Sequence, residues 1–526
     1  MGNEALRADC LIGIDIGTQS LRGLLIDRSA RLRVLASRPT PTLRMREGSA
    51  EHDPEALWQA TLAILRELAP QVPKGHAVAG IAAASFGESC VLLDAHGQAL
   101  GKAMAWFDRR TERDAAWLTE RIGPERLFAL TGLAPDPTYT LFKLLWARRT
   151  MPDRFGSVRR MLNIADWIAF RLSGEVATDF SLASRTACLD LPNRIWSAAL
   201  LREVGFDIEI FPPIRASGTA LGPVRPQVLA ETGLPGSPIV GVGAHDHVCG
   251  AFSAGALSAG ALSNGVVLDS MGTAEAILTA MRQPVMSPDL LRQGYAQGAA
   301  ARDRPLFYLG GTIYSSGGAV EWTRRLFGQD LSHQALIGEA ELLSPGSNGV
   351  SFLPHLAYGA PPHADITARG AFLGLTSAKG RSEMFRAVLE GLAMEARSVV
   401  AGMTDLAGLG EPEAIIVIGG NTRNRLLLEI KASTYGRPMT VIAEPEATAL
   451  GAALLGGIAA GLWPDLRRAL AEIERETFVV DPCPDWIPIY DEYFNTVHAR
   501  LYAALQLIHA QLAKYEVPAL PSSSPT

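Results

Sequence analysis

A strand followed by a Gly-Thr turn occurs twice in this chain, once near the start and once just past the middle. The first copy runs from Leu11 to Thr18 and the second from Val266 to Thr273. We predict a β-hairpin at each copy, with a turn that exposes backbone N–H groups. Such a turn can hold a phosphate where no P-loop is present. The repeat therefore predicts two similar halves that clamp a polyphosphate across a cleft.

The length of the chain, 526 residues, exceeds what one ordinary hydrophobic core can organise, so we expect two large domains. We place the boundary after residue 238, because residues 174–236 are punctuated by proline and the boundary follows a Gly/Pro-rich stretch. The predicted domains are 1–238 and 239–514, followed by a disordered tail at 515–526. The last predicted helix packs either with the second domain or back on the first.

Charge and cysteine content exclude several classes of protein. The net charge of −6 is spread without long blocks, so no basic surface for nucleic acid or an anionic membrane is evident. The five cysteines are scattered and lack paired spacing, which indicates free thiols in a reducing compartment. The apolar run 447–463 contains four glycines, and we interpret it as a buried helix rather than a membrane span. We expect a cytoplasmic protein without a signal peptide.

The acid Asp246 lies in a glycine- and alanine-rich stretch, 241–252, which leaves open space in front of its carboxylate. The alternative is a tight turn in which Asp246 bonds its own backbone. Strand alternation would place His245 and His247 on the face opposite Asp246, and no third ligand is evident, which argues against a metal site. We expect His247 to contact a substrate or to orient Asp246.

Asp15 precedes the first Gly-Thr turn, and the corresponding position of the second copy is Ser270. A single acid at this position can hold Mg²⁺ through water, because Mg²⁺ takes few carboxylates and keeps several waters. Hairpins of this kind also occur for purely structural reasons, so the Asp-x-Gly-Thr pattern alone leaves both interpretations open.

Two other apolar segments end in polar and aromatic residues. The predicted strand 78–84 leads to Phe86 and Glu88, and a later segment ends in Trp106 and Asp108. The carboxyl end of a strand is where open α/β sheets bind ligands. Glu88 can equally be a solvated loop acid, and Trp106 can belong partly to the core and partly to a pocket wall.

Further stretches resemble the FGGY family of carbohydrate kinases, within the actin/Hsp70/hexokinase superfamily, over most of the chain from Leu11 to about Leu507. The stretches that carry the resemblance are Thr140–Trp146, Gly370–Leu375, Glu383–Glu390, Gly419–Asn424 and Glu446–Ala453. The pair Gly370–Leu375 and Glu383–Glu390 is the most specific of these. The resemblance implies an α/β protein with two RNase H-like (actin-like ATPase) domains flanking a central cleft, in which Mg²⁺, ATP and a sugar meet.

The resemblance also implies roles for individual residues. Asp246 matches the family's catalytic aspartate, the general base that accepts the proton of a sugar hydroxyl, and Asp15 lies near Mg²⁺. The implied phosphate and nucleotide contacts are Gly17, Thr18, Arg22, Gly272, Thr273, Gly317, Gly420 and Asn424. The implied sugar contacts are Phe86, Glu88, Trp106, Asp108, Asp246 and His247.

The chain departs from several pentulose kinases, which have Asp-Asn where this chain has Asp246-His247. The resemblance implies a ketose or polyol of about four to six carbons as the substrate. The sequence does not name which one, because small changes among hydroxyl-binding groups alter preference strongly. Two alternatives are a nucleotide-driven chaperone or filament-type ATPase of the same superfamily and a sugar-responsive regulator. A homodimer is the default expectation for assembly.

Overall fold

Two large β-sheets organise the chain, one in each half, and helices flank them. The computed structural model describes residues 6–45, 49–257, 265–301 and 306–515. The predicted disordered tail lies outside the described residues from 516 onward. Five smaller sheets of two or three strands accompany the large ones within the described part. No helix among those residues is long and apolar enough to cross a bilayer.

Within the residues described, the first half contains fifteen strands and the first ten helices. The strands are β1 (Arg7–Ile16), β2 (Ser20–Asp27), β3 (Arg33–Pro39), β4 (Thr42–Arg44), β5 (Ala50–His52), β6 (His76–Ser85), β7 (Cys90–Leu93), β8 (Ala103–Met104), β9 (Arg160–Asn163), β10 (Thr178–Asp179), β11 (Leu189–Asp190), β12 (Ile195–Trp196), β13 (Ile214–Arg215), β14 (Ala220–Pro223) and β15 (Ile239–His245). The helices are α1 (Pro54–Leu68), α2 (Glu112–Ile122), α3 (Pro124–Thr131), α4 (Thr140–Thr150), α5 (Pro152–Phe155), α6 (Ile164–Ser173), α7 (Phe180–Ser184), α8 (Ala198–Glu203), α9 (Pro226–Thr232) and α10 (Asp246–Ala254).

The second half contains the remaining elements. Its strands are β16 (Val266–Met271), β17 (Glu275–Met281), β18 (Ala296–Ala301), β19 (Leu306–Ile313), β20 (Ser351–Leu353), β21 (Ala371–Leu373), β22 (Ala414–Ile418), β23 (Met439–Ile442) and β24 (Thr477–Val480). Its helices are α11 (Pro288–Gln293), α12 (Gly317–Phe327), α13 (His333–Glu341), α14 (Arg381–Ala407), α15 (Arg425–Tyr435), α16 (Ala447–Ala459), α17 (Leu466–Glu472), α18 (Ile487–Tyr493) and α19 (Ala499–Leu512).

The first sheet has the strand order β14-β15-β6-β1-β2-β3. β1 and β2 form the predicted hairpin, with Ile16 opposite Leu21 at its end. β1, β6 and β15 run parallel to one another. β15 begins at Ile239, so this sheet extends past the predicted boundary at residue 238. The Gly/Pro-rich stretch before Ile239 is a turn that returns the chain to the same sheet, which its composition alone does not distinguish from a linker.

The second sheet repeats this plan with the order β18-β19-β17-β16-β22-β23-β24. β16 and β17 form the second predicted hairpin, with Met271 opposite Glu275. β16, β22 and β23 run parallel. Each large sheet therefore has a hairpin beside parallel strands, which confirms the internal duplication read from the two Gly-Thr turns.

The predicted buried helix is confirmed as α16, which crosses from the second half onto the first sheet. A Cβ at Gly13 of β1 would lie 1.8 Å from the carbonyl oxygen of Ala449. A Cβ at Gly451 would lie 2.0 Å from the carbonyl oxygen of Cys249, on α10. Glycine and alanine are needed here because the helix backbone touches both the sheet and α10 directly. The two helices therefore cross in close contact at the junction between the halves.

The last predicted helix is interrupted. α18 is followed by a π-helical turn over residues 494–498 and then by α19. Tyr502 of α19 donates a hydrogen bond from its hydroxyl to Asp365 Oδ2 at 2.9 Å. The ring of His363 stacks on Tyr502 with 4.0 Å between centroids. Of the two arrangements left open by the sequence, these contacts show packing of the last helix against the second half.

Candidate active site

Three stretches with candidate site residues follow adjacent parallel strands of the first sheet. β1 pairs Ile16 with Ser85 of β6, and β15 pairs His245 with the same Ser85. The carboxyl ends of the three strands therefore lie side by side. The residues that follow directly are Gly17 and Thr18 after β1, Phe86 and Glu88 after β6, and Asp246 and His247 after β15. This edge of the sheet is the place where open α/β sheets bind ligands.

Asp246 is the first residue of α10, with its side chain 24% exposed. Its Oδ1 accepts a hydrogen bond from the backbone N–H of His247 at 2.7 Å. Burial opposes ionisation of this carboxyl, but the charges of His245 and His247, that N–H and Arg185 together hold its pKa below the ordinary value. Asp246 is therefore an ionised, partly accessible acid that can accept a proton.

The prediction that His245 and His247 face away from Asp246 is wrong. His245 Nε2 lies 3.3 Å from Asp246 Oδ1, and the two histidine rings are 5.5 Å apart. Side-chain alternation requires the strand to continue, whereas here the chain turns into a helix at Asp246. Burial lowers the pKa of His245, and the negative charge of Asp246 acts in the opposite direction. Both histidines thus belong to the surroundings of Asp246.

Asp15 lies at the end of β1, and its Oδ1 is buried without a hydrogen-bond partner in the part of the chain that the structure describes. Burial, and then the negative charge of Asp246, raise the pKa of Asp15 to about 8, with Arg22 acting in the opposite direction. An unpaired buried carboxylate oxygen beside a second acid is a donor set that suits a hard cation. Asp15 therefore fits the Mg²⁺ role that the sequence predicted.

Glu88 is buried and is held by an ion pair with Arg185 that no pattern in the sequence indicates. Arg185 donates a hydrogen bond from Nε to Glu88 Oε1 at 2.5 Å, and its guanidinium lies over the ring of Tyr139. Lys143 donates from Nζ to the backbone oxygens of Glu88, at 3.2 Å, and Trp106, at 3.3 Å. Glu88 is thus buried and paired beside the strand ends and is not a solvated loop acid.

Trp106 and Asp108 have different surroundings although they lie close in sequence. The indole Nε1 of Trp106 donates to Thr18 Oγ1 at 2.9 Å, so this ring adjoins the first Gly-Thr turn. Asp108 is fully buried, accepts hydrogen bonds from Arg110 and accepts the backbone N–H of Ala50 at 2.8 Å. Trp106 is therefore available as a wall of the site, whereas the contacts of Asp108 are structural.

An ion pair between Arg22 and Glu446 joins the first sheet to the segment between β23 and α16. Arg22 lies on β2, and its Nη1 is 3.0 Å from Glu446 Oε2. Glu446 follows β23 of the second sheet and directly precedes α16. Arg22 also donates from Nε to Ser20 Oγ. A guanidinium is thereby oriented at the end of the first hairpin by an acid from the other half of the chain.

The second Gly-Thr turn packs against two glycine-rich segments. The carbonyl oxygen of Gly272 accepts the backbone N–H of Gly317 at 3.1 Å and the side-chain amide of Asn421 at 3.1 Å. A Cβ at Gly317 would lie 2.7 Å from that carbonyl oxygen. Thr273 accepts the backbone N–H of Gly318. Three segments with candidate nucleotide contacts are therefore in direct contact.

Gly420 and Asn424 follow β22, next to the second turn, because β22 runs parallel to β16. A Cβ at Gly420 would meet no atom within 4 Å, so the space beside this residue is open. The side chain of Asn424 accepts the backbone N–H of Leu427 at 3.1 Å and caps α15. Gly420 thus borders open space, while the side chain of Asn424 is engaged in the helix cap.

The comparisons with known proteins agree with this arrangement. Models of the FGGY family of carbohydrate kinases match residues 10–253, as its N-terminal domain, and residues 267–460, as its C-terminal domain. The first match includes β15, which lies in the first sheet. Xylulose kinase of Bacillus subtilis is 27% identical over 96% of this chain and 99% of its own length. Glycerol kinase of Gloeobacter violaceus is 31% identical over 88% of this chain and 90% of its own length.

Solved structures extend this likeness to three dimensions. The crystal structure of gluconate kinase from Lactobacillus acidophilus superposes with a TM-score of 0.87 at 25% identity, covering 96% of this chain and 99% of that chain. The fold is the mixed α/β, two-sheet arrangement of actin-like ATPases, as the sequence predicted. From its sequence and its fold, this chain belongs to the FGGY family of carbohydrate kinases.

Proposed function

We propose that this protein transfers the γ-phosphoryl group of ATP to a hydroxyl of a small sugar or polyol, with Asp246 as the general base. The observation that carries the proposal is the position of Asp246 at the carboxyl end of β15, next to the end of β1, which carries Asp15, and the end of β6, which leads to Glu88. An enzyme that phosphorylates a sugar hydroxyl requires such a base close to the site that binds the phosphates of ATP.

In the proposed reaction, the sugar hydroxyl attacks the γ-phosphorus while its proton passes to the carboxylate of Asp246. The new bond joins the sugar oxygen to phosphorus, and the bond to the β–γ bridging oxygen breaks to release ADP. Phosphoryl transfer asks little covalent chemistry of the protein, so positioning and charge neutralisation account for most of its contribution. Closure of the two halves would exclude the water that otherwise hydrolyses ATP.

The residues around the cleft supply the contacts for this reaction in our proposal. The first turn, Gly17 and Thr18, and the guanidinium of Arg22 bind phosphate oxygens from one side. The second turn, Gly272 and Thr273, binds them from the other. When bound, Mg²⁺ near Asp15 neutralises phosphate charge. The remaining proposed nucleotide contacts are Gly317, Gly420 and Asn424.

The proposed acceptor is a ketose or polyol of about four to six carbons, and small changes among hydroxyl-binding groups can alter which one is preferred. The relatives are named as kinases of xylulose, glycerol and L-fuculose. We propose Phe86, Glu88, Trp106 and His247 as its contacts. The four come from three separate segments, so modest changes in any one would alter the preferred sugar.

The experiment that tests the proposal measures ADP release from Mg-ATP with and without each member of a ketose and polyol panel. We expect one or a few members to raise ADP release at least about tenfold over the sugar-free rate, since substrate completes the closed site. ATP hydrolysis that ignores every member would contradict the proposal and favour a nucleotide-driven chaperone or filament-type ATPase.

A further inference from the structure

A buried ion cluster of Lys431, Asp269 and Glu275 links the two strands that the second Gly-Thr turn joins. Lys431, on α15, places its Nζ 2.5 Å from Asp269 Oδ2 and 2.6 Å from Glu275 Oε1. The three side chains are 0% exposed. Asp269 lies on β16 and Glu275 on β17, the two strands joined by the turn that contains Gly272. One ammonium therefore bonds both stems of the hairpin.

The cluster continues to the segment that precedes α12. Glu275 Oε2 accepts a hydrogen bond from Ser316 Oγ at 2.7 Å. The backbone N–H of Ser316 donates to the carbonyl oxygen of Thr273 at 3.0 Å. Ser316 is fully buried and directly precedes Gly317, the first residue of α12. Lys431 is thus connected, through Glu275 and Ser316, to the glycines that pack on the turn.

The same lysine lies on the helix whose first turn borders the proposed nucleotide site. α15 begins at Arg425 and is capped by Asn424, and the preceding Asn421 donates to the carbonyl oxygen of Gly272. The position of α15 along the sheet therefore sets where these residues lie. Burying an ammonium with two carboxylates costs desolvation free energy, and its best-attested benefit is a fixed geometry rather than stability.

We propose that Lys431 is a positioning residue for nucleotide binding. By bonding both hairpin stems and, through Ser316, the start of α12, it fixes the proposed phosphate-binding turn at Gly272 and Thr273 relative to the first turn of α15. Lys431 does not touch the nucleotide, because its side chain is fully buried. The inference rests on the proposed function and adds a residue through which the second turn is held. Its loss weakens nucleotide binding, whereas loss of an unrelated buried cation does not.

The test measures the dissociation constant of Mg-ADP by calorimetry on full-length variants whose circular dichroism matches the wild type. Lys431→Met removes the ammonium, and Ser316→Ala removes only the hydroxyl link. The matched control is Arg386→Met, which removes a fully buried cation bonded to Glu390 on α14, away from the hairpin. We expect Lys431→Met to weaken Mg-ADP binding by about tenfold or more, since small misplacements of positioned groups are costly.

Ser316→Ala is expected to weaken Mg-ADP binding by about threefold, as the loss of one hydrogen bond would. Arg386→Met is expected to bind as the wild type does, although it unfolds at a lower temperature. Unchanged Mg-ADP binding in Lys431→Met overturns the inference but leaves the proposed function standing. If Lys431→Met does not fold, unchanged Mg-ADP binding in Ser316→Ala has the same meaning. Equal losses in Lys431→Met and Arg386→Met also overturn it. A wild-type protein that does not bind Mg-ADP overturns both proposals.

Discussion

The indole nitrogen of Trp106 lies 2.9 Å from the hydroxyl oxygen of Thr18 and donates a hydrogen bond to it. The bond joins a wall of the proposed sugar pocket to the turn proposed to bind phosphate. Lys143 donates a hydrogen bond from its Nζ to the backbone oxygen of Trp106 and so helps to hold that residue in place. Substitution of this ring is therefore expected to weaken the binding of both proposed substrates, the sugar and ATP.

Trp106→Phe removes that hydrogen bond while keeping an aromatic ring. Loss of one such bond costs about 1 kcal/mol, so we expect the KM for the sugar and the KM for ATP each to rise about fivefold. Phe86→Leu is the comparison, since Phe86 follows a different strand and should alter only the KM for the sugar. Steady-state kinetics on both variants would contradict this account if Trp106→Phe changed the KM for the sugar alone.

Glu88→Gln leaves the partly buried guanidinium of Arg185 without the carboxylate that accepts its hydrogen bond. Breaking a partly buried, charge-assisted pair is costly, so we expect the KM for the sugar to rise by about tenfold or more while the KM for ATP stays nearly constant. The control is Glu112→Gln, which breaks an exposed pair with Arg109 and should change neither constant. An unchanged KM for the sugar in Glu88→Gln would contradict the proposal that Glu88 contacts the sugar.

Gly451→Ala tests the close crossing of α16 and α10. The added Cβ would lie 2.0 Å from the carbonyl oxygen of Cys249, so the two helices must separate. We expect a loss of about 2 kcal/mol or more in the free energy of unfolding, measured by chemical denaturation. Gly338→Ala is the matched control, because its Cβ meets no atom within 4 Å in α13 and should stabilise the helix by about 0.5 to 1 kcal/mol.

The burial of His52 is expected to make the free energy of unfolding depend on pH. It is fully buried against Phe86, and burial lowers its pKa from 6.5 to about 4. In the unfolded chain His52 binds a proton below about pH 6.5, whereas the folded protein resists protonation until about pH 4. The contribution of this group is therefore complete above pH 6.5 and is lost as the pH falls toward 4.

His52→Gln should flatten the decline of unfolding free energy between about pH 6 and pH 4.5, by up to about 1.4 kcal/mol per pH unit relative to the wild type. The measurement is denaturant unfolding at several pH values, compared as slopes so that the cost of the substitution itself cancels. His96→Gln, at an exposed position, serves as the control and should keep the wild-type slope. Equal slopes in His52→Gln and the wild type would contradict the burial argument.

Local patterns in the sequence were enough to predict the hairpins, the buried strands and α16. The Gly-Thr turns depend on residues within a few positions of one another, and apolar runs mark the strands. The faces of His245 and His247 were predicted wrongly because the alternation rule assumes a strand, and the helix begins at Asp246. The boundary at 238 had no local signal separating a turn within a sheet from a linker between domains.

Ion pairs between residues far apart in the chain could not be predicted from the sequence. Arg185 and Glu88 are 97 positions apart, and Arg22 and Glu446 are 424 positions apart. No spacing rule connects such residues, because their contact depends on how the two sheets and the crossing helices pack. Side-chain roles at the candidate site depend on these pairs, so the sequence indicated candidate residues without showing which of the acids are already paired.

The most direct test of the account is the turnover of Asp246→Asn with a sugar that the wild type phosphorylates. A positioned base contributes about 10²- to 10⁴-fold, and the substitution keeps the size of the side chain while removing its ability to accept the proton. We predict that sugar-dependent ADP release falls by at least about a hundredfold, with the dissociation constant of Mg-ADP nearly unchanged. Near-normal turnover in Asp246→Asn would contradict the assignment of Asp246 as the general base.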